Sequence, residues 1–201
     1  MNKIPLSFYQ KDDAIALSRS LIGKYLFTCV GPEKTVTGGM IIETEAYLGA
    51  ADKASHAYGN RRTKRTETMF SEGGVAYVYL CYGMHHLFNI VINKKDIPHG
   101  ILIRAIRPEV GIDLMLHRRN QKKLLPNLTK GPGSVCKALG IDKTHDRIPL
   151  NSSLIWLEDR GIHIPSECIE SSPRIGVDYA GEDALKLWRF SLKQDFLRNL
   201  F

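Results

Sequence analysis

Hydrophobic positions in the first part of the chain change from a helical to a strand-like pattern. Ala14, Leu17 and Leu21 recur at helical spacing after a pair of aspartates. Because Gly23 then offers a stop, the pattern predicts a helix over residues 13–22. Beyond it, runs rich in β-branched and aromatic residues are bounded by turn residues, which is typical of strands. The predicted strands are residues 25–30, 40–47, 75–82, 87–92 and 101–106.

The second half of the chain mixes the two patterns. Helices are predicted at 109–118 and 134–139, and short strands at 154–157, 174–177 and 187–192. No internal repeat, low-complexity tract or flexible linker divides the sequence. Because strands outnumber helices and follow one another closely, the expected class is α+β. We predict a single domain over residues 1–201, with a mostly antiparallel sheet and flanking helices.

Composition and charge narrow the choice of partner. The 201 residues are 43% hydrophobic, which suits an ordinary packed core, and the formal charge of +7 favours a polyanionic partner. The four cysteines form no C-x-x-C pair of the kind that marks zinc, iron–sulfur or thioredoxin-like sites. No run approaches the roughly 20 apolar residues of a membrane span, and no signal-peptide pattern opens the chain. An intracellular protein without a membrane partner is expected.

Two acids share one face of the predicted strand at 40–47. A period of two places Glu43, Glu45 and Tyr47 together, opposite apolar side chains. Neighbours on that face lie about 6.6 Å apart, so the acids can serve one site. The alternative is a solvated face whose carboxylates meet Lys or Arg. His56 follows closely and adds a titratable group, whereas Glu43 is expected to pair with a basic residue.

Residues 75–89 predict a β-hairpin with a glycine-containing turn. Tyr77 and Tyr79 share one strand face. The tip carries Tyr82, Gly83, Met84 and His85. An aromatic and a flexible apolar side chain at an exposed tip suit a wedge between base pairs, although tyrosines at the core and rim of a sheet are the alternative. The two adjacent histidines point to opposite strand faces, so we expect no metal.

Basic segments suggest phosphate contacts. Residues 60–66 and 118–123 are polar and loop-like, and a surface exposed to solvent is the alternative to a phosphate grip. Lys130 and Gly131 lead into a predicted helix, where backbone N–H groups bind phosphate readily. The residues predicted to contact a nucleic-acid backbone are Arg61, Arg62, Lys64, Arg65, Lys130 and Gly131.

An ordered set of motifs spans about residues 17–190. The motifs are residues 43–49, 56, 69–70, 77–79, 82–84, 89, 102–105, 130–132, 136–139 and 174–177. This set resembles the alkyladenine (3-methyladenine) DNA glycosylase family. The resemblance implies a single α+β domain with a curved antiparallel sheet and a protruding hairpin that inserts into DNA. It also implies a monofunctional enzyme that flips alkylated purines out of duplex DNA and hydrolyses the N-glycosidic bond, without a cofactor.

The resemblance assigns roles by matched position. Glu45 is the general base that activates water, and Arg104 helps to hold that water. The residues implied to bind the flipped base are Tyr47, His56, Tyr77, Tyr79, Asn89 and Val177. Those implied to intercalate are Tyr82, Met84 and His85. His85 and Asp178 depart from the pattern expected of the family, which bears on the wedge and on the charge near the water.

The substrates implied are 3-methyladenine and 7-methylguanine, with hypoxanthine and ethenoadenine as further candidates. The enzyme is expected to act as a monomer, on double-stranded DNA containing damaged purines. Its place would be the cytoplasm, at the nucleoid, in a prokaryote and the nucleus in a eukaryote. Two alternatives stay open: a non-catalytic sensor of damaged DNA, and a metal-dependent nuclease that uses Glu43, Glu45 and a histidine.

Overall fold

Every strand pairing in the described part of the chain is antiparallel. The computed structural model describes residues 2–199. Its strands are β1 (Tyr25–Thr28), β2 (Thr37–Tyr47), β3 (Ala76–Cys81), β4 (His85–Ile92), β5 (His99–Val110), β6 (Ile155–Glu158), β7 (Ile169–Ser172) and β8 (Arg189–Leu192). Its α-helices are α1 (Ala14–Ser20), α2 (Ile112–Arg119), α3 (Pro132–Leu139) and α4 (Gln194–Asn199). The predicted α+β class with an antiparallel sheet is therefore confirmed.

The sheet curls because its central strand has three neighbours. The order is β3-β4-β5-β2-β1-β6, and β8 pairs with both β2 and β7. The beginning of β2 pairs with β1, whereas Glu43, Thr44 and Glu45 pair with β8. Along its other edge, β2 pairs with β5 over nearly its whole length. The result is a half-barrel. Residues 43–45 of β2 lie where the partner along one edge of β2 changes from β1 to β8.

Two bulges interrupt the β2–β5 pairing beside these acids. Ile42 on β2 has no partner on β5, and Arg104 on β5 has none on β2. Consecutive residues Glu43 and Thr44 pair with residues that lie two positions apart on β5. A bulge re-aims a side chain relative to the regular alternation of a strand. Here it accompanies an Arg104 side chain that contacts the carboxylates of both Glu43 and Glu45.

Helices cover the apolar side of the sheet. The Asp13 side chain accepts a hydrogen bond from the Ala16 amide at 2.8 Å, which caps α1 as the paired aspartates predicted. Leu17 of α1 and Val135 of α3 are buried in the main core, against aliphatic side chains of the sheet. Burying one such side chain contributes about 1.5–3 kcal/mol. None of the helices within residues 2–199 is long and apolar enough to cross a bilayer.

One predicted helix starts too early, and one predicted strand is wrong. The helix predicted at 109–118 begins only at Ile112, because β5 continues to Val110 and Gly111 turns the chain with a φ of +70°. The strand predicted at 174–177 is absent, and β7 forms upstream instead. Pro173, which lacks a backbone N–H, follows β7 directly. Beyond it, buried side-chain contacts of Arg174 hold the chain.

The close approach of β2 and β5 gives a prediction about stability. A Cβ on Gly39 would lie 1.9 Å from the Arg107 carbonyl oxygen, whereas a Cβ on Gly100 would approach only the Ile90 oxygen, at 3.7 Å. Gly39→Ala should therefore lower the free energy of unfolding by about 2 kcal/mol or more. Gly100→Ala should change it by no more than about 0.5 kcal/mol. Urea denaturation measures both, and equal losses would contradict this packing.

Candidate active site

A cavity of about 580 Å³ opens beside the β3–β4 hairpin. Its walls come from β2, β3, β4 and β5 and from the segments at 54–56, 131–134 and 175–179. Three arginines line it, Arg65, Arg104 and Arg119, and no aspartate or glutamate among the described residues does so. The cavity therefore presents positive charge and aromatic surface, and the acid of the site lies behind this lining.

That acid is Glu45, which is fully buried and held by three donors. Its Oε1 accepts a hydrogen bond from the Ile175 amide at 2.8 Å, and its Oε2 accepts one from the Tyr47 hydroxyl at 2.8 Å. The Arg104 Nη1 lies 3.3 Å from Oε2. Since a carboxylate has about four acceptor positions, one position remains on Oε1. The orientation of the group is fixed, yet it can accept one more hydrogen bond.

Arg104 is held between the two acids of β2. Its Nε donates to Glu43 Oε1 at 3.2 Å, while its other end contacts Glu45. Arg189 of β8 also donates to Glu43 Oε1, at 2.9 Å. The prediction that Glu43 pairs with a basic residue is confirmed. Glu43 therefore positions Arg104, and through it the Glu45 carboxylate.

A buried ion pair supports the other side of Glu45. Arg174 Nη2 donates to Asp52 Oδ1 at 2.9 Å, and Arg174 Nη1 donates to the Ala46 carbonyl at 3.0 Å. The guanidinium also lies 4.7 Å from the centre of the Tyr47 ring. Arg174 immediately precedes Ile175, whose amide binds Glu45, so the pair positions that amide and Tyr47 together. Sequence reasoning missed Asp52, because no local pattern links two residues so far apart.

Tyr47 donates its hydroxyl proton rather than losing it. Burial raises the pKa of Tyr47 well above its usual value, and the adjacent Glu45 carboxylate raises it further. The phenol therefore remains protonated at neutral pH and donates to Glu45 Oε2. The ring lines the cavity, so Tyr47 supplies both a pocket wall and a support for the acid.

A cluster of aromatic rings forms the opposite part of the cavity. The rings of Tyr77 and Tyr79 have centroids 5.4 Å apart, and the His56 ring meets Tyr79 edge-on at 4.6 Å. The His56 Nδ1 lies 3.1 Å from the Tyr77 hydroxyl. Burial raises the pKa of Tyr77 to about 12. The Arg65 guanidinium lies 5.0 Å from the Tyr79 ring centre, so Arg65, which is predicted to contact a nucleic-acid backbone, also lines the cavity.

His56 is neutral in this setting. Burial, together with the positive charges of Arg65 and Arg61, lowers the pKa of its imidazole from 6.5 to about 4. The His56 Nε2 lies 3.4 Å from Arg65 Nη2, and a guanidinium can only donate. The Nε2 atom therefore accepts, which leaves the ring proton on Nδ1, facing Tyr77.

Asn89 and Val177 complete the lining, as their predicted role requires. The Asn89 side-chain amide donates to the Tyr77 carbonyl at 3.2 Å. Val177 is buried with Ala54 and lies against Tyr47. The cavity thus brings together the six residues implied to bind a base: Tyr47, His56, Tyr77, Tyr79, Asn89 and Val177.

The hairpin tip exposes its apolar side chains. Tyr82 is 84% exposed and Met84 72%, and His85 is also exposed. Tyr82 and Gly83 have φ values of +49° and +68°, a left-handed pair that suits the twist of a tight hairpin. A tyrosine adopts this conformation at an energetic cost, so the tip holds Tyr82 outward against its local preference.

The basic residues predicted to contact a nucleic-acid backbone differ in exposure and in salt bridges. Arg61, Lys64 and Lys130 are exposed, as a phosphate contact requires. Arg62 instead forms salt bridges with Glu67 and Asp96, each at 2.8 Å, and therefore closes its own loop. Among residues 2–199, no three His, Cys, Asp or Glu side chains are grouped to hold a metal.

The lowered pKa of His56 predicts a pH dependence of stability. Because protonation is disfavoured in the folded state, the free energy of unfolding should fall as pH drops from about 6.5 through 4, by about 2–3 kcal/mol. NMR titration of the imidazole should give a midpoint near pH 4 in the native protein. In Arg65→Gln the midpoint should move upward, because one positive neighbour is lost. A native midpoint near 6.5 would contradict the burial described for His56.

Comparison with known proteins agrees with this geometry. Residues 7–196 match the family described as "Methylpurine-DNA glycosylase (MPG)". A relative from Chlamydia felis, named "Putative 3-methyladenine DNA glycosylase", is 47% identical over 190 residues, covering 94% of this chain and 95% of its own. Relatives of the same name from Bacillus thuringiensis and Clostridium perfringens are 44% and 41% identical, over 92% and 94% of this chain and 93% and 94% of theirs. The resemblance inferred from the motifs is confirmed, and the chain belongs to the methylpurine-DNA glycosylase family.

Proposed function

We propose that this protein is a monofunctional DNA glycosylase that releases alkylated purines from duplex DNA and leaves an abasic site. The observation that carries the proposal is the fixed, buried carboxylate of Glu45 directly behind a tyrosine-lined cavity. The family and the names of the relatives support the same reaction. The cavity volume of about 580 Å³ is ample for one flipped nucleotide.

The chemistry requires one base and one nucleophile. Glu45 accepts a proton from a water at the open position of Oε1, and the water oxygen attacks the sugar C1′. The C1′–N bond breaks, and its electron pair leaves with the purine. An alkylated purine that carries a positive charge departs as a neutral base and needs no added proton. Arg104 holds Glu45 in place and helps to orient the water, and the carboxylate stabilises positive charge that develops on the sugar.

The cavity walls favour a cationic base. The electron-rich faces of Tyr47 and Tyr79 attract a positively charged ring by about 0.5–2 kcal/mol. Asn89 stands where it can exclude the exocyclic amine of guanine. A neutral His56 whose Nε2 accepts a hydrogen bond cannot serve as the acid that neutral bases need. We therefore propose 3-methyladenine as the principal substrate. 7-Methylguanine has the favourable positive charge but carries the exocyclic amine that Asn89 opposes, so it is released more slowly, as are the neutral bases hypoxanthine and ethenoadenine.

The hairpin and the basic loops provide the DNA contacts. Flipping a nucleotide costs a few kcal/mol, which a side chain in the vacated space partly offsets. Tyr82 fills that space, with Met84 and His85 against the neighbouring bases. Arg61, Lys64 and Lys130 contact phosphates, and Gly131 lets the backbone approach closely. The protein acts as a monomer on the chromosome of its cell.

Glu45→Gln tests the catalytic role directly. Loss of the general base should lower the single-turnover rate of 3-methyladenine release by about 100-fold or more, while binding to duplex DNA with an abasic analogue is retained. The matched control is Glu43→Gln, on the same strand, which should lose less because Glu43 acts only through Arg104. Near-normal release by Glu45→Gln would remove Glu45 from its role. If the unmodified protein at excess releases no free base from methylated duplex DNA, the sensor alternative holds instead.

Tyr82→Ala tests the hairpin. Removing the side chain that fills the vacated space should weaken binding to abasic-analogue DNA by roughly 5- to 100-fold. Thermal stability should change little, because Tyr82 is exposed. The matched control is Tyr58→Ala, an exposed tyrosine outside the cavity lining. Equal effects of the two substitutions in a fluorescence-anisotropy titration would argue against insertion of the hairpin.

A further inference from the structure

Arg119, the last residue of α2, is a cavity arginine that the proposed reaction does not use. Its side chain lines the cavity, as do Gly131 and Pro132. The Nε atom is shielded from solvent and has no hydrogen-bond partner among the described residues. Leaving a charged donor buried and unpaired is unfavourable, and such a group in a native protein calls for an explanation. A bound anion would supply the missing acceptor.

The adjacent Arg118, unlike Arg119, has hydrogen-bond partners within residues 2–199. Its Nη2 donates to the Val30 carbonyl at 2.8 Å, and its Nη1 lies within hydrogen-bond distance of Thr37 and the Ala138 carbonyl. Arg118 therefore ties α2 to the sheet and to α3. Of the two consecutive arginines, Arg118 forms hydrogen bonds within the protein and Arg119 lines the cavity.

The other two cavity arginines are already engaged. Arg104 binds the carboxylates of Glu43 and Glu45, and Arg65 lies over Tyr79 beside His56. No acidic residue within the described chain lines the cavity to pair with Arg119. A substrate phosphate would supply the partner that the described chain does not.

The surroundings of Arg119 suit a phosphate group. Gly131 has a φ of +91°, and a Cβ built there would meet no heavy atom within 4 Å, so the backbone is open to a ligand. This glycine caps the eight-residue helix α3, whose first turn adds the favourable end of its dipole for an anion. A guanidinium and an open backbone at a helix start, lining one cavity, are both groups that bind phosphate oxygens.

We propose that Arg119 binds a backbone phosphate close to the flipped nucleotide, at the cavity edge formed by residues 131–134. The assignment rests on the proposed function, because DNA provides the anion. A phosphate held there would fix the sugar relative to Glu45 at the time the base enters the cavity. Arg119 would thus position the nucleotide rather than take part in the bond-breaking step.

A chemical double-mutant cycle tests the contact. Abasic-analogue duplexes are made with a single neutral methylphosphonate at each phosphate near the analogue in turn. Arg119→Met should weaken binding to the unmodified duplex by about tenfold or more, and it should reduce the slope of log K against log salt by about 1. At one of these phosphates, the methylphosphonate should weaken binding by the unmodified protein about as much as the Arg119→Met substitution does. At that same phosphate, it should not weaken binding by Arg119→Met any further. The matched control is Lys193→Met, an exposed charge outside the cavity lining, which should keep the full methylphosphonate penalty.

Thermal melting of the free proteins provides an independent readout. Because Nε has no partner, Arg119→Met should not lower the melting temperature, whereas loss of a structural arginine would. If that variant fails to fold, Arg119→Gln, which also removes the charge, is used in the same cycle. Unchanged affinity, or a methylphosphonate penalty that the variant retains at every phosphate, would overturn the assignment. Base release by the unmodified protein would still stand in that case, so failure of this contact is separate from failure of the proposed function.

Discussion

The contact of Arg104 with Glu43 and Glu45 is the interaction on which the site depends. It joins the two longest strands at the place where both carry a bulge, and β8 adds Arg189 from the other edge. A lone carboxylate buried as deeply as Glu45 would be unfavourable, and the paired guanidinium with its hydrogen bonds makes that position possible. The placement of the acid is therefore a consequence of this pairing, at the point where β2 changes partner from β1 to β8.

A second buried pair extends this arrangement to the cavity wall. Asp52 and Arg174 join the segment after β2 to the segment before Ile175, and the guanidinium lies against the Tyr47 ring. Removing one partner would leave an uncompensated buried charge, which costs about 3–5 kcal/mol. The amide, the phenol and the guanidinium that hold Glu45 thus come from three separate parts of the chain. Their convergence makes the carboxylate rigid before any substrate arrives.

Around the cavity, unlike at Glu45, several groups lack stabilising partners among the residues that the structure describes. At the hairpin tip, the apolar side chains of Tyr82 and Met84 are exposed to solvent, and Tyr82 has a left-handed backbone conformation. Both features lower the stability of the protein in the absence of a ligand. Arg119 likewise keeps a guanidinium N–H without a partner in the described chain. Departures from local stability of this kind are expected where a ligand binds. They lie around one cavity, which fits a surface shaped by DNA.

The sequence by itself determined the elements whose cause is local. The Asp13 cap, the hairpin and the shared face of Glu43 and Glu45 follow from capping chemistry and from the period of a strand, and the structure has all three. Only the tertiary structure decided what depends on distant partners: the bulge at Arg104, the neutral state of His56 and the irregular segment after Pro173. Burial and ion pairing are properties of the folded chain, so no local pattern encodes them.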